Sequence, residues 1–378
     1  MKKTQILFIL LSFTLKISYA QQRVTSITDP SIEQKVSSFL LAEMEQQKIP
    51  GLQIVVISHN KIVLAKAYGK ANVEFSVPAT EKTIFSINSI AKIFTATSIM
   101  RLVEDGKLDI EKPISKYVDS LPVNWRKVTI KQLLSHTSGL PDVEDDLTDG
   151  LVGNKGETAA WLQVQRLPLQ FQPGEQFSYN ATNYLILGKI IEKFSLLSFE
   201  EGIKNKQLNA VGMINTSYGN SYTVAKNKAP TYGYYQKDKN SGEYIKGDAL
   251  LQVYEEFPKM LRADAGMFST ATDLGKWIIA LQSNQLLKNT KSIQTMWTPV
   301  MLNNGEFGGF GGLLNGYALG WPVIIRKNHP AIAAIGGGRA ALLLYPEDSL
   351  SIVVLTNLSG CSPELITDKV AEFYYSTH

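Results

Sequence analysis

Two pairs of β-rich runs stand at opposite ends of this chain, and that separation constrains the fold more than any other feature. Residues 52–57 and 62–67 are joined by Ser58-His59-Asn60-Lys61, and residues 340–345 and 351–355 by Pro346-Glu347-Asp348, so each pair reads as a hairpin. An isolated hairpin is marginal in water, so the two are expected to share one sheet. Asp29-Pro30 has the chemistry of a helix start, and Ile32, Val36, Phe39, Leu40 and Met44 continue at helical spacing to about Gln46. Ser362-Pro363 opens a last helix through Val370 and Phe373. The expected class is α/β in the α+β sense: an antiparallel sheet flanked by terminal helices, drawn from about 30–85 and 315–378, with a large helical insert over about 86–300. A crevice between sheet and insert is where a site should lie.

Composition permits such a core, since 44% of the 378 residues are hydrophobic and only 19% charged. The formal charge of +4 includes Lys2, Lys3 and Lys16 and falls to about +1 without them, so no basic face for nucleic acid is implied. Those lysines flank an apolar stretch over residues 6–15, and Ser18-Tyr19-Ala20 has the small-residue cleavage pattern. Residues 1–20 therefore read as a cleavable secretory signal, with a periplasmic or secreted mature chain over 21–378 and no stable membrane span after its removal. One cysteine, Cys361, excludes an internal disulfide framework and reads as a thiol near a strand end. The four histidines, His59, His136, His329 and His378, include no pair at metal-ligand spacing, so neither a metal site nor a cofactor is expected.

Phe85-Ser86-Ile87-Asn88-Ser89-Ile90-Ala91-Lys92 opens a segment that is apolar on most sides through Val103 and stops at Gly106. It reads as a buried central helix. Ser89 and Lys92 stand three apart, so their side chains share a face one turn apart. A serine hydroxyl needs a base within hydrogen-bond reach, and a lysine in a dry crevice can serve by losing its proton through desolvation. An amide in the first helical turn has no helical partner and can donate to a developing oxyanion. The spacing alone is weak evidence, because Ser58 and Lys61 repeat it in a hairpin turn. A buried lysine here otherwise needs a charged partner that the sequence does not identify. No Gly-x-Ser-x-Gly elbow is present.

The segment resembles the serine β-lactamase and penicillin-binding family, in its class C-like and esterase-like branch. The likeness continues in Leu133-Leu134-Ser135-His136-Thr137-Ser138-Gly139-Leu140-Pro141, in Gln172-Pro173-Gly174-Glu175-Gln176-Phe177-Ser178-Tyr179, and in Gly266-Met267-Phe268-Ser269-Thr270-Ala271-Thr272-Asp273-Leu274, in family order. The resemblance implies Ser89 as nucleophile, Lys92 as its base, and Tyr179, from a Tyr-x-Asn motif, as the phenol that relays protons to the leaving group. It implies a structural part for His136.

Two motif positions depart from the family. Ala181 stands where the motif has asparagine, and Asn180 and Asn183 do not hold that position. Ala334 stands where a cationic residue precedes the glycines of the edge strand, in Ala334-Ile335-Gly336-Gly337-Gly338-Arg339. Gly336 and Gly337 still allow close backbone approach, and an amide near Gly337 would complete an oxyanion hole. Arg339 is either the replacement cation for a substrate carboxylate or a surface salt bridge. The resemblance implies hydrolysis of an ester or amide through an acyl-enzyme, without a cofactor. The substrate is a small ester, a β-lactam or a D-amino-acid peptide of the cell wall. The alternative is a binding protein of the same fold that has lost turnover.

Overall fold

The apolar runs at the two ends of the chain meet in one sheet. The structure is a computed structural model and describes residues 30–145, 147, 150–238 and 241–375; the expected signal over 1–20 and the cap at Asp29 lie outside these. Eight strands run in the order Gly316–Tyr317, Pro322–Ile324, Ala331–Gly336, Ala340–Tyr345, Leu350–Thr356, Gly51–Ser58, Lys61–Asn72 and Val77–Pro78. Every neighbouring pair is antiparallel, and the two hairpins join where Ile54 opposes Val354. In the Ser58–Lys61 turn, His59 and Asn60 both take positive φ, as a two-residue hairpin loop requires.

Both faces of the central strands are buried, which is why they read as continuous apolar runs. On one face Ile54, Val56, Ile352 and Val354 pack with Val36, Leu40 and Val370 from the terminal helices Pro30–Gln47 and Pro363–Tyr375. On the other, Val55, Ile57, Val353 and Leu355 join the larger core, with Phe94, Leu274 and Trp277. Each fully buried side chain of this size contributes about 1.5–3 kcal/mol. Tertiary packing, not helix propensity, therefore holds the terminal helices in place.

The region between is mostly helical, with two departures from expectation. Phe85–Asn88 is not the first turn of the central helix but a strand, paired with Met267–Ser269. A short apolar run has no period that separates strand from buried helix, and its partner lies far along the chain. The helix itself runs Ala91–Glu104, buried on nearly every side. The second departure is a hairpin, Thr231–Lys237 with Tyr244–Val253, inside the expected helical insert. Much of it is solvent-exposed, so it carries little of the apolar alternation that reveals a half-buried strand.

Candidate active site

Ser89 lies in the turn that converts the strand Phe85–Asn88 into the helix Ala91–Glu104. Asn88 makes that turn with φ of 44°, a left-handed conformation that asparagine tolerates better than most residues. Ile90 is the helix cap, so Ser89 stands just outside the helix and not in its first turn as expected. Lys92, the second helical residue, still reaches back to it, with Nζ 3.2 Å from Ser89 Oγ.

The charged partner missing from the sequence reading is Asp264. Its carboxylate lies 2.7 Å from Lys92 Nζ, with side-chain exposures of only 2% for the lysine and 7% for the aspartate. Lys92 Nζ also donates to the Asp264 backbone carbonyl at 3.2 Å. The ammonium sits 4.4 Å from the centre of the Tyr179 ring, where the negative face of the ring favours a cation. These contacts aim Nζ at the serine.

Tyr179 lines the crevice together with Ser89 and Lys92. Desolvation, then the charge of Asp264, pushes this phenol well above the ordinary tyrosine range. The ring is 36% exposed, which argues for a smaller upward shift than full burial would give. In either case the hydroxyl keeps its proton at neutral pH and can donate it.

His136 sets the position of Tyr179 by holding the backbone on both sides of it. Its carbonyl accepts from Ser178 N at 2.9 Å, and its ring Nδ1 accepts from Asn180 N at 3.1 Å. Burial, with the charge of Lys92 adding to it, holds the imidazole well below its usual range, so the ring is neutral. It packs against Tyr179 and Tyr184 and does not contact Ser89 by hydrogen bond. This agrees with the structural part expected for it.

The strand Ala331–Gly336 forms the facing wall; it is third in the sheet, paired on both sides, and not the edge strand expected. A Cβ on Gly336 would come 2.0 Å from Ile87 O and 3.3 Å from Ser89 N, so the strand backbone lies directly against the Ser89 turn. Gly337 and Gly338 both have positive φ and turn the chain back into the next strand. A small, open crevice remains, lined by Ser89, Lys92, Tyr179, Phe310, Tyr317 and Ala334 among others.

The altered motif positions are now placed. Ala334 is in the crevice wall and presents a methyl group. Ala181 begins the helix Ala181–Ser195, and its amide donates to Asp142 at 3.1 Å. Asn180 caps that helix and Asn183 is bonded to His136 and Ser138, so neither replaces the absent amide. Desolvation above all raises the Asp142 carboxyl to about 6.

Arg339 corrects the sequence expectation, being neither a surface pair nor an available cation. It is 2% exposed, and both terminal nitrogens donate to Glu255 at 2.6 Å. Nη1 also donates to Thr231 and Nε to Gly337 O. A guanidinium so occupied has little left for a substrate carboxylate.

Among the described residues no group of histidine, cysteine, aspartate and glutamate could hold a metal ion, and no helix is long and apolar enough to cross a membrane.

Fold and site together have the arrangement of the β-lactamase family. A family model described as Beta-lactamase matches residues 36–373, and the chain belongs to that family. It is 29% identical over 346 residues to Protein flp of Staphylococcus aureus (strain N315), covering 89% of this chain and 65% of that protein. The chain thus spans just under two thirds of the length of these relatives. Among solved structures, it is similar to an octameric penicillin-binding protein homologue from Pyrococcus abyssi, at 28% identity and a TM-score of 0.73, covering 91% of this chain and 77% of that one. It is also similar to a penicillin-binding protein from Bacillus halodurans, at 26% identity and a TM-score of 0.69, covering 88% and 98%.

Proposed function

We propose that this chain hydrolyses small neutral esters or amides through an acyl-enzyme on Ser89. The observation that carries the reading is the contact of Ser89 Oγ with Lys92 Nζ at 3.2 Å, beside Tyr179 in a crevice with no free cation among its described lining residues. As Ser89 attacks the carbonyl carbon, Lys92 takes the hydroxyl proton and passes one of its own to Asp264, 2.7 Å behind it. The pair as a whole is the acceptor. The carbonyl oxygen gains charge against the backbone amides of the Ser89 turn and the Gly336–Gly337 turn. Tyr179 then donates to the leaving group and recovers its proton from the incoming water, and the Lys92–Asp264 pair returns its proton to Ser89 Oγ as the acyl bond breaks.

The lining favours a compact apolar acyl group. Phe310, Tyr317, Ile93 and Pro322 supply apolar surface, and Ala181 and Ala334 remove the amide and the cation that a β-lactam side chain and carboxylate would use. Short aryl esters are therefore expected to exceed penicillins in kcat/KM by about tenfold or more, since lost polar partners cost discrimination of that order. Parallel assays on p-nitrophenyl butyrate, a D-alanyl amide and a penicillin test the ranking, and a penicillin turned over fastest would overturn it. Because Arg339 is occupied, Arg339→Ala should weaken carboxylate-bearing and neutral substrates alike. The segment over 1–20 supports export, which the N-terminal sequence of the mature protein tests: it should begin at Gln21.

A further inference from the structure

The crevice has two backbone walls that come from distant parts of the chain, and one carboxylate touches both. Asn88 precedes Ser89 and holds the left-handed turn that presents the nucleophile. Its side chain donates from Nδ2 to Glu255 Oε1 at 3.2 Å, while its Oδ1 lies 3.4 Å from Ser89 Oγ. On the facing wall, Arg339 ends the glycine turn, with its backbone N bonded to Gly336 O and its Nε to Gly337 O. The guanidinium donates from both terminal nitrogens to the same Glu255 at 2.6 Å. Glu255 is itself held by backbone bonds to Ser221, whose hydroxyl accepts from Glu255 N and whose N donates to Glu255 O.

We propose that Glu255 is a positioning residue that clamps the nucleophile turn to the glycine turn and so sets the width of the oxyanion pocket. This deepens the reading of Ser89 as nucleophile and rests on it. Three features point the same way. The pairing with Arg339 is bidentate, which fixes direction as well as distance. The arginine side chain is 3% exposed and the glutamate 19%, so water reaches the pair only from the carboxylate side. The two walls touch closely enough at Gly336 that a Cβ would collide with Ile87 O, so a small shift of either wall moves the amides that face the oxyanion. Glu255 is not among the residues that line the crevice, and its side chain bonds to Asn88 and Arg339, through which it acts.

The test uses the full chain with three changes: Glu255→Gln, Glu255→Ala, and the double change Glu255→Leu with Arg339→Met, which removes the buried charges together and keeps an apolar filling. Ester kinetics, the labelling rate by a fluorophosphonate with intact-mass and peptide mapping, and the thermal midpoint are measured for each. Glu255→Ala and the double variant should lose about a hundredfold in kcat and in labelling rate, the scale of one oxyanion donor, with KM changed by less than about threefold. Glu255→Gln keeps an acceptor for Asn88 and for one arginine nitrogen and should recover to within about tenfold of the parent. The double variant answers the objection that Glu255→Ala merely unfolds. A double variant with the parent's thermal midpoint and the parent's kcat overturns the clamp while Ser89 stays labelled. Label that maps to a residue other than Ser89 overturns the nucleophile assignment, and the clamp with it.

Discussion

Asp264→Ala removes one member of an ion pair that is almost wholly out of water. Lys92 keeps the backbone carbonyl of residue 264 at 3.2 Å, the serine hydroxyl at 3.2 Å and the Tyr179 and Tyr184 rings to stabilise its charge. With the side chains 2% and 7% exposed, solvent cannot substitute for the carboxylate. Breaking a buried pair by removing one partner costs about 3–5 kcal/mol. For a domain of this size each kcal/mol moves the midpoint by roughly 2 °C, so the variant should melt about 6–10 °C below the parent. Asp264→Asn keeps an acceptor for Nζ and should melt closer to the parent, yet lose about a hundredfold in kcat because an amide cannot take up a proton. The double change Lys92→Met with Asp264→Leu replaces the pair by apolar groups, and should restore the midpoint while abolishing turnover. Differential scanning calorimetry and ester kinetics on the same preparations separate the two effects. An Asp264→Ala variant that melts within about 2 °C of the parent would refute the dependence of Lys92 on Asp264.

Three further outcomes follow from the site. Tyr179→Phe removes the phenolic hydroxyl and should lower kcat by about a hundredfold with KM nearly unchanged, as general acid catalysis is lost while the ring still packs; steady-state kinetics decide. Gly336→Ala places a Cβ 2.0 Å from Ile87 O, so the walls must part, and fluorophosphonate labelling of Ser89 should slow at least tenfold. Asp142 titrates near 6 when folded against 3.8 when free, so its contribution to stability is full below about pH 4 and is lost as pH rises through 6. That difference amounts to at most about 3 kcal/mol, less because the half-buried carboxylate keeps some contact with water. Asp142→Asn should therefore raise the midpoint at pH 7 and flatten its dependence on pH between 4 and 6.5.

The terminal elements were legible in the sequence because local chemistry determines them. Ala340–Tyr345 has the predicted bounds, Gly51–Ser58, Leu350–Thr356 and Pro30–Gln47 differ from expectation by at most one residue at an end, and Lys61–Asn72 runs five residues beyond the expected 62–67. Turn residues and apolar runs fix such elements without reference to distant partners. The candidate site was legible only as far as neighbours in sequence carry it. Ser89 and Lys92 are three apart, whereas Asp264 meets Lys92, and Glu255 meets both Asn88 and Arg339, through the fold alone. An isolated acidic residue in Arg262-Ala263-Asp264-Ala265-Gly266, just before a family motif, was the one available hint of a buried partner. The strand Phe85–Asn88 was missed for the same reason, since its hydrogen-bond partner Met267–Ser269 is remote.

The most direct test of the account is whether turnover passes through a covalent bond to Ser89. The purified protein, mixed with a slowly deacylated aryl ester and quenched by acid within the first turnover, should carry one acyl group per molecule by intact mass. Peptide mapping should place it on Ser89, and Ser89→Ala should show neither the adduct nor more than about a hundredth of the parent's kcat. Turnover that persists in Ser89→Ala, or an acyl group mapped to another residue, would contradict it.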